Sequence, residues 1–149
     1  MRTVANILQN KAPQFNFVEP NARVIDALQQ MNAVNMSYLI VKDEQGFHGI
    51  FSERDYSRNV ILKGRHSDSC TVREVMSTEL PIVGLQDTVE QCMQMLNNHK
   101  TRYLLIFNDE QFEGVVTIND VLREALANKE MIFDELLIFQ NPDFQDRVF

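Results

Sequence analysis

The sequence predicts a mixed α/β fold (α+β) in which two β-α-β-β-α units pack on each other and a C-terminal helical tail follows. Three observations lead to this prediction. The chain matches itself without a gap after a shift of 65 positions, which brings Val24 onto Val89. Each copy has apolar residues at helical spacing, and short apolar stretches separated by turn-forming residues. The 149 residues, 44% of them hydrophobic, suffice for one folded body with a shared core.

The internal match includes glycine and aspartate as well as apolar positions. Two copies of one supersecondary unit explain it most simply. The alternative is a coincidence between two unrelated units that share the same periodicity. The matched pairs are Val24 and Val89, Gln29 and Gln94, Asn32 and Asn97, Tyr38 and Tyr103, Phe47 and Phe112, Gly49 and Gly114, Ser52 and Thr117, and Asp55 and Asp120.

The first copy begins with a strand predicted at residues 16–18. Val24, Ala27, Leu28 and Met31 then recur at helical spacing, which predicts a helix over 23–35. Strands are predicted at 38–42 and 47–51, on either side of the turn sequence DEQG. A second amphipathic helix is predicted over 53–63, and a polar linker follows at 63–71.

The second copy repeats this order, with strands predicted at 81–83, 103–107 and 112–116 and helices at 88–99 and 119–127. A three-stranded sheet with helices on one face leaves apolar surface uncovered, and pairing the copies buries it. We therefore expect residues 1–66 to form the first repeat with an N-terminal segment, 67–127 the second repeat, and 128–149 a tail. Apolar residues at helical spacing in the tail favour self-association or packing on the body.

The composition argues against several classes of function. The formal net charge of -7 and the lack of a Lys/Arg-rich block argue against nucleic-acid binding. No apolar stretch approaches the roughly 20 residues of a membrane span, and the N-terminus does not resemble a signal peptide, so we expect a cytoplasmic protein. Cys70 and Cys92 are expected to be reduced. His48, His66 and His99 lack ligand spacing, so no metal site is expected.

Three segments resemble a known family. They are 49–55 (GIFSERD), 114–120 (GVVTIND) and 72–77 (VREVMS). With the order of elements, they resemble the cystathionine β-synthase (CBS) domain family over residues 4–126, and the chain looks like the stand-alone CBS pair proteins of bacteria and archaea. The resemblance implies a pseudo-twofold pair with nucleotide clefts between the repeats, often dimerised into a flat disk. It implies a regulatory adenine nucleotide, AMP first, with ADP, ATP and NADH as alternatives.

The repeated motif Ser/Thr-x-x-Asp has a chemical and a structural interpretation. Ser52 and Thr117 stand where a strand ends and a helix begins, so a hydroxyl and unsatisfied amides can bind a phosphate. Asp55 and Asp120 can accept hydrogen bonds from two neighbouring ribose hydroxyls. In the structural interpretation, the hydroxyl and the carboxylate only cap the helix.

The resemblance also implies where the adenine ring and the phosphate charge bind. Arg102 precedes a strand at a position where the family often has a phosphate-facing cation, whereas the first copy has Ser37 there. Arg54 is a further cation candidate, with a solvated helix face as the alternative, and Asn119 lies inside the second motif. The adenine candidates, which could instead be plain core residues, are Phe17, Val18, Met36 and Tyr38 in the first copy and Ile82, Val83, Thr101 and Tyr103 in the second.

The N-terminal segment departs from the pattern. Residues 4–9 correspond only loosely to 72–77, because Gln9 stands where the later segment has Ser77 and extra residues follow at 10–14. We expect the nucleotide cleft bordered by this segment to differ from the other.

Three hypotheses about function compete. The first is a nucleotide sensor that signals to an unknown regulated partner, and the second is a ligand-independent dimeric scaffold. The third is an enzyme that uses Asp55, Asp120 or His99. No nucleophile and base pair is visible, so we expect no catalysis.

Overall fold

The computed structural model describes residues 2–127, and the tail predicted at 128–149 lies outside the described residues. The predicted mixed α/β order is confirmed, with strand and helix ends within a few residues of the predicted ones. In chain order the elements are α1 (Val4–Asn10), β1 (Phe17–Val18), α2 (Val24–Val34), β2 (Tyr38–Asp43), β3 (Gly46–Ser52), α3 (Glu53–Asp55) with a π-helical continuation (Tyr56–Ile61), α4 (Val72–Val75), β4 (Ile82–Val83), α5 (Val89–His99), β5 (Tyr103–Asn108), β6 (Gln111–Thr117) and α6 (Ile118–Ala127).

The described residues fall into two compact units, named here after the aspartate of their motifs. Residues 14–79 form the Asp55 unit, and residues 2–13 together with 80–127 form the Asp120 unit. The short helix α4 therefore belongs to the Asp55 unit and α1 to the Asp120 unit. The division of the sequence at 66 and 127 concerns the repeats and stays a prediction.

Each unit is built on one three-stranded sheet. The strand orders are β1-β2-β3 in the Asp55 unit and β4-β5-β6 in the Asp120 unit, with a parallel first pair and an antiparallel second pair. The register shifts after Val41 in one sheet and after Ile106 in the other, which are equivalent positions. The two sequence repeats therefore share the same strand pairing, including the position of the register shift.

The helical spacing read from the sequence is the spacing of the buried faces. In α2, Val24, Ala27 and Met31 are buried in a cluster with residues of β2 and β3. In α5 the buried face includes Val89 and Leu96, which pack in a separate cluster with β5 and β6. Each buried Val, Leu or Met side chain of these faces contributes about 1.5–3 kcal/mol when it leaves water, so their burial holds each helix on its sheet.

The second helix of the first copy differs from the prediction. A regular helix was expected over 53–63, but the chain widens into a π-helix after Asp55, with the amide of Leu62 bonded to the carbonyl of Ser57 at 3.0 Å. The Ser57 hydroxyl donates to the carbonyl of Glu53 at 3.3 Å, so it takes up an acceptor of the preceding turn. Such back-bonding competes with regular helical hydrogen bonds.

Both cysteines are buried free thiols. Burial, with the charge of Asp87 adding to it, raises the pKa of the Cys92 thiol to about 12. Within residues 2–127, no helix has the length and apolar character needed to cross a membrane. The same residues contain no group of three or more His, Cys, Asp or Glu side chains that could hold a metal ion.

Candidate functional site

The two Ser/Thr-x-x-Asp motifs lie at equivalent strand-to-helix junctions. In the Asp55 unit, β3 ends at Ser52, which lies opposite Tyr38 of the neighbouring strand. In the Asp120 unit, β6 ends at Thr117, which lies opposite Tyr103. Each unit therefore carries the hydroxyl and the carboxylate of its own motif at the end of its antiparallel strand pair.

The Asp55 motif forms a reciprocal cap. The Asp55 amide donates to Oγ of Ser52 at 3.2 Å, while the amide and the hydroxyl of Ser52 donate to Oδ2 of Asp55 at 2.9 and 3.0 Å. The Ser77 hydroxyl donates to Oδ1 of Asp55 at 2.5 Å. Burial raises the pKa of Asp55, and the hydrogen bonds from Ser77 and Ser52 and the charge of Arg54 oppose that rise.

Ser77 reaches Asp55 because its backbone is paired with β3. The amides of Ile50 and Ser77 each donate to the other residue's carbonyl, at 2.9 and 2.8 Å. A Cβ on Gly49 would lie 2.6 Å from the Ser77 carbonyl oxygen, so this approach requires glycine. The glycine quoted for the family resemblance therefore has a steric reason in the Asp55 unit.

The Asp120 motif has the same cap but a charged neighbour. The Thr117 amide donates to Oδ2 of Asp120 at 2.9 Å, and the Asp120 amide donates to Oγ1 of Thr117 at 3.1 Å. The ammonium of Lys11 lies 2.6 Å from the same Oδ2 and 2.8 Å from the carbonyl oxygen of Val115. Arg123 approaches Oδ1 of Asp120 at 3.4 Å. Asp120 is thus an ion-paired carboxylate with 5% of its surface exposed.

Lys11 is held in place by α1. The helix is anchored by Val4 and Ile7, which are buried in the core of the Asp120 unit. The amides of Val4 and Ala5 donate to the carbonyls of Asp87 and Leu85 at 2.9 and 3.0 Å. Lys11 follows the last residue of α1, so the position of its ammonium depends on this anchored helix.

The adenine candidates on the first strand of each unit differ in exposure. Val18 and Val83 are buried, which agrees with the alternative interpretation that these candidates are plain core residues. The ammonium of Lys42 lies 3.6 Å from the centre of the Phe17 ring, a cation–π contact. Ile82, at the equivalent position, has 57% of its surface exposed. Ile82 therefore offers the ring of a ligand an accessible aliphatic surface on an edge strand.

The adenine candidates at the helix-to-strand turns are also placed differently. Met36 lines a cavity of about 340 Å³ together with Asn35 and Glu53. Tyr38 and Tyr103 are largely buried at the start of the central strands. The remaining candidate, half-buried Thr101, accepts a hydrogen bond at Oγ1 from the amide of Tyr103 at 3.3 Å.

The cation candidates lie near the starts of the second helices. The carbonyl of Arg102 accepts from the Ile118 amide at 3.0 Å, as the carbonyl of Ser37 accepts from the Glu53 amide at 3.0 Å. Arg102 and Ser37 thus occupy equivalent positions, as the sequence alignment predicted. Arg54 is half-buried in α3.

Asn119, the remaining candidate of the second motif, is exposed in the first turn of α6. The Asp120 unit therefore brings Arg102, Thr117, Asn119 and Asp120 close together around the start of one helix.

Sequence reasoning missed Lys11 and the contact of Ser77. Lys11 lies in the extra residues 10–14, and its distance of 109 positions from Asp120 leaves no spacing pattern to detect. Ser77 belongs to the inter-repeat segment quoted for the resemblance, but nothing in the sequence shows that its hydroxyl points at Asp55. The loose match of residues 4–9 with 72–77 was the available signal, since Ser77 ends the later segment beside Asp55 and Lys11 follows the earlier one beside Asp120.

Comparisons with known proteins agree with this architecture. The CBS domain pattern matches residues 5–61 and 72–127. The chain is 28% identical over 133 residues to the CBS domain-containing protein CBSX3, mitochondrial, of Arabidopsis thaliana, covering 83% of this chain and 65% of that protein. It therefore spans just under two thirds of that relative's length.

Solved structures give the same result. A CBS-domain protein from Burkholderia ambifaria MC40-6 is 30% identical with a TM-score of 0.78, covering 85% of this chain and 95% of that one. The structure of CBSX2 in complex with AMP shares the fold, with a TM-score of 0.70 and 21% identity over 87% of this chain and 99% of that one. The duplicated sheets, the capped motifs and these matches lead to one conclusion: the chain belongs to the CBS domain family, with one domain in each repeat.

Proposed function

We propose that this CBS domain pair is a regulatory module that binds an adenine nucleotide and signals its presence to a partner protein. The observation that carries the proposal is the repeated junction, in which a hydroxyl and a carboxylate three residues later are held at the end of a strand. Asp55 and Asp120 are 7% and 5% exposed. A helix cap alone works with an exposed aspartate, whereas burying a carboxylate costs free energy. The burial supports a ligand-binding role beyond capping.

The chemistry of the junction and the fold both support this choice of ligand class. A carboxylate accepts hydrogen bonds from vicinal hydroxyls, and the adjacent Thr117 and Arg102 can serve a phosphate group. CBSX2, which shares the fold, was crystallised with AMP. AMP is therefore the first candidate, with ADP, ATP and NADH as alternatives of the same chemistry. Binding would regulate the partner by favouring the conformation with the higher nucleotide affinity.

A second candidate function has one observation in its favour. Both oxygens of Asp55 already accept hydrogen bonds from Ser52 and Ser77 within the protein. Such a carboxylate fulfils a structural role without any ligand. A ligand-independent interaction module is therefore the alternative. For both candidate functions, a homodimer formed through the CBS helices and the tail stays a prediction. A cytoplasmic location also stays a prediction.

Nucleotide binding separates the two candidates. Purified protein is screened by thermal shift against AMP, ADP, ATP, NADH, S-adenosylmethionine and GMP, because a ligand that binds only the folded state raises the melting temperature. Isothermal titration then compares D55A, D120A and the exposed control D68A. The proposal expects at least one motif variant to lose about 1–3 kcal/mol of binding free energy, roughly 5-fold to 150-fold in Kd, and D68A to lose none.

The outcomes are distinct. A melting-temperature rise with adenine nucleotides alone supports the regulatory module and identifies its ligand class. No rise with any nucleotide favours the interaction module. Circular dichroism of each variant confirms that a lost affinity reflects the missing carboxylate and not an unfolded protein.

A further inference from the structure

The two motifs differ in charge although their capping geometry is the same. Asp55 receives a neutral hydroxyl from Ser77, whereas Asp120 receives the ammonium of Lys11 at 2.6 Å. The carboxylate of Asp120 is therefore balanced by a cation at hydrogen-bonding distance. A phosphate that approaches the Asp120 motif meets a carboxylate whose charge is already neutralised. One that approaches the Asp55 motif meets a carboxylate whose hydrogen bonds from Ser52 and Ser77 come from neutral groups, with the charge of Arg54 nearby.

Lys11 is itself largely removed from water. Its side chain is 15% exposed, and that of Asp120 is 5% exposed. Charges interact more strongly in such surroundings than in bulk water. An ammonium has three N–H groups, and the contacts with Asp120 and Val115 account for two of them. The third can serve an anionic group of a ligand while the ion pair with Asp120 stays intact.

A second contrast lies at the residue that precedes the central strand. Arg102 and Ser37 hold equivalent positions, since the carbonyl of each accepts the first amide of the following helix at 3.0 Å. The Asp120 unit thus has an arginine at the backbone position where the Asp55 unit has a serine. Arg123, whose Nη1 lies 3.4 Å from Oδ1 of Asp120, is a further cation beside this carboxylate, although the Asp55 unit has Arg58 at the equivalent position. A phosphate dianion is bound most favourably where several cations converge.

A third contrast concerns the surface for the adenine ring. In the Asp55 unit, the ammonium of Lys42 already lies over the ring of Phe17 at 3.6 Å. In the Asp120 unit, the equivalent residue Ile82 is 57% exposed. An aliphatic surface that is open to solvent gains most from contact with a flat apolar ring.

From these contrasts we infer that the nucleotide binds at the Asp120 motif, and that Lys11 is a specificity-determining residue there which binds the phosphate group. This inference rests on the proposed function and deepens it by naming the motif and the cation. In this arrangement Asp120 accepts hydrogen bonds from the ribose hydroxyls. Lys11, Thr117 and Arg102 bind the phosphate. A nucleoside lacks the anionic group that the third N–H of Lys11 would bind, so the ammonium is expected to favour nucleotides over nucleosides.

Lys11→Met tests the role of Lys11, because methionine retains most of the side-chain volume and removes the charge. Isothermal titration measures Kd for AMP and for adenosine in the wild type and the variant. The ratio of adenosine Kd to AMP Kd is expected to fall by about tenfold or more in Lys11→Met, the effect of losing a hydrogen bond to a charged group. Lys11→Arg is expected to keep most of the ratio.

Matched variants make the result decisive. Lys42→Met removes the cation over Phe17 in the Asp55 unit, and it is expected to leave both affinities within about twofold. An unchanged ratio in Lys11→Met overturns the phosphate role of Lys11. Tighter binding of both ligands also overturns it, because Lys11 would then merely block Asp120. A larger AMP loss in Lys42→Met than in Lys11→Met overturns the choice of motif.

Failure of the inference and failure of the proposed function are distinguishable. If the wild type binds AMP but Lys11→Met shows an unchanged ratio, the proposed function stands and the inference fails. If the wild type binds no nucleotide at all, both fail. The melting temperature of each variant, compared with that of the wild type, confirms that affinities are measured on folded protein.

Discussion

The hydroxyl of Ser77 donates a hydrogen bond to Oδ1 of Asp55 at 2.5 Å, across 22 positions of sequence. The bond joins the residue just beyond α4 to the first turn of α3. It meets a carboxylate whose pKa is raised by burial, so the donor stabilises a charge that the interior otherwise disfavours. The segment after α4 is therefore a structural part of the Asp55 motif.

Ser77→Ala removes this donor and leaves the ionised carboxylate with the capping bonds from Ser52. We expect a loss of about 1.5–3 kcal/mol in the free energy of unfolding at pH 7, the usual effect of losing a hydrogen bond to a buried charge. Chemical denaturation measures the loss. Ser69→Ala, in which an exposed hydroxyl bonded to the His66 carbonyl at 3.3 Å is removed, is the matched control and is expected to change little.

The pH dependence of the Ser77→Ala effect gives a sharper test. The folded-state pKa of Asp55 is raised above its ordinary value of 3.8. Protonated Asp55 therefore contributes stability that is fully present below pH 3.8 and is lost as the pH rises through the folded-state pKa. A protonated Asp55 does not need the Ser77 donor. The difference between wild type and variant should therefore be full at neutral pH and shrink as the pH falls through the folded pKa. A difference that is independent of pH would assign the effect to packing.

Gly49→Ala should destabilise the Asp55 unit. The added Cβ meets the Ser77 carbonyl oxygen at 2.6 Å, and the paired backbone of Ile50 and Ser77 resists the shift that would relieve the contact. We expect a loss of about 1–3 kcal/mol by thermal or chemical unfolding, the range for overpacking. Gly84→Ala is the control, because its Cβ would have its nearest neighbour at 3.9 Å. Equal effects of the two substitutions would contradict the steric explanation.

The order of elements could be predicted from the sequence because it depends on local periodicity. The buried positions of α2 and α5 recur at helical spacing, and both motif hydroxyls stand at the strand ends where the spacing placed them. The equivalence of Arg102 and Ser37 also followed from a gapless alignment, since equal numbers of residues separate them from the following helix.

Contacts between distant segments could not be predicted in this way. The position of Lys11 beside Asp120 depends on α1 packing in the Asp120 unit, which no local pattern specifies. The same holds for Ser77 and Asp55. The π-helical turn after Asp55 was not predicted because the spacing of apolar residues over six positions does not distinguish a π-helix from a regular helix. These three features distinguish motifs that look equivalent in the sequence.

Lys100→Gly should stabilise the protein more than Asn35→Gly. Both residues end the first helix of their repeat in the left-handed conformation, with φ of 57° and 54°. Lysine is strained there, whereas asparagine tolerates this region well. We expect a gain of about 0.5–1 kcal/mol for Lys100→Gly and a smaller gain for Asn35→Gly, measured by denaturation. A larger gain for Asn35→Gly would show that the strain at Lys100 is relieved by other contacts.

Cys92 should resist thiol reagents as long as the Asp120 unit stays folded. The thiolate is the reactive form, and a pKa of about 12 leaves only about one thiol in 10⁴ ionised at pH 8. In a Cys70→Ser variant, which isolates Cys92, we expect almost no reaction with Ellman's reagent over minutes in buffer and rapid reaction of one thiol in denaturant. Because the side chain is buried, the reaction of Cys92 in the native protein requires opening of the unit.

If AMP binds the Asp120 motif, saturating AMP should slow this native reaction. Adenosine at the same concentration should slow it less. Equal protection by both ligands would contradict the phosphate contact of Lys11.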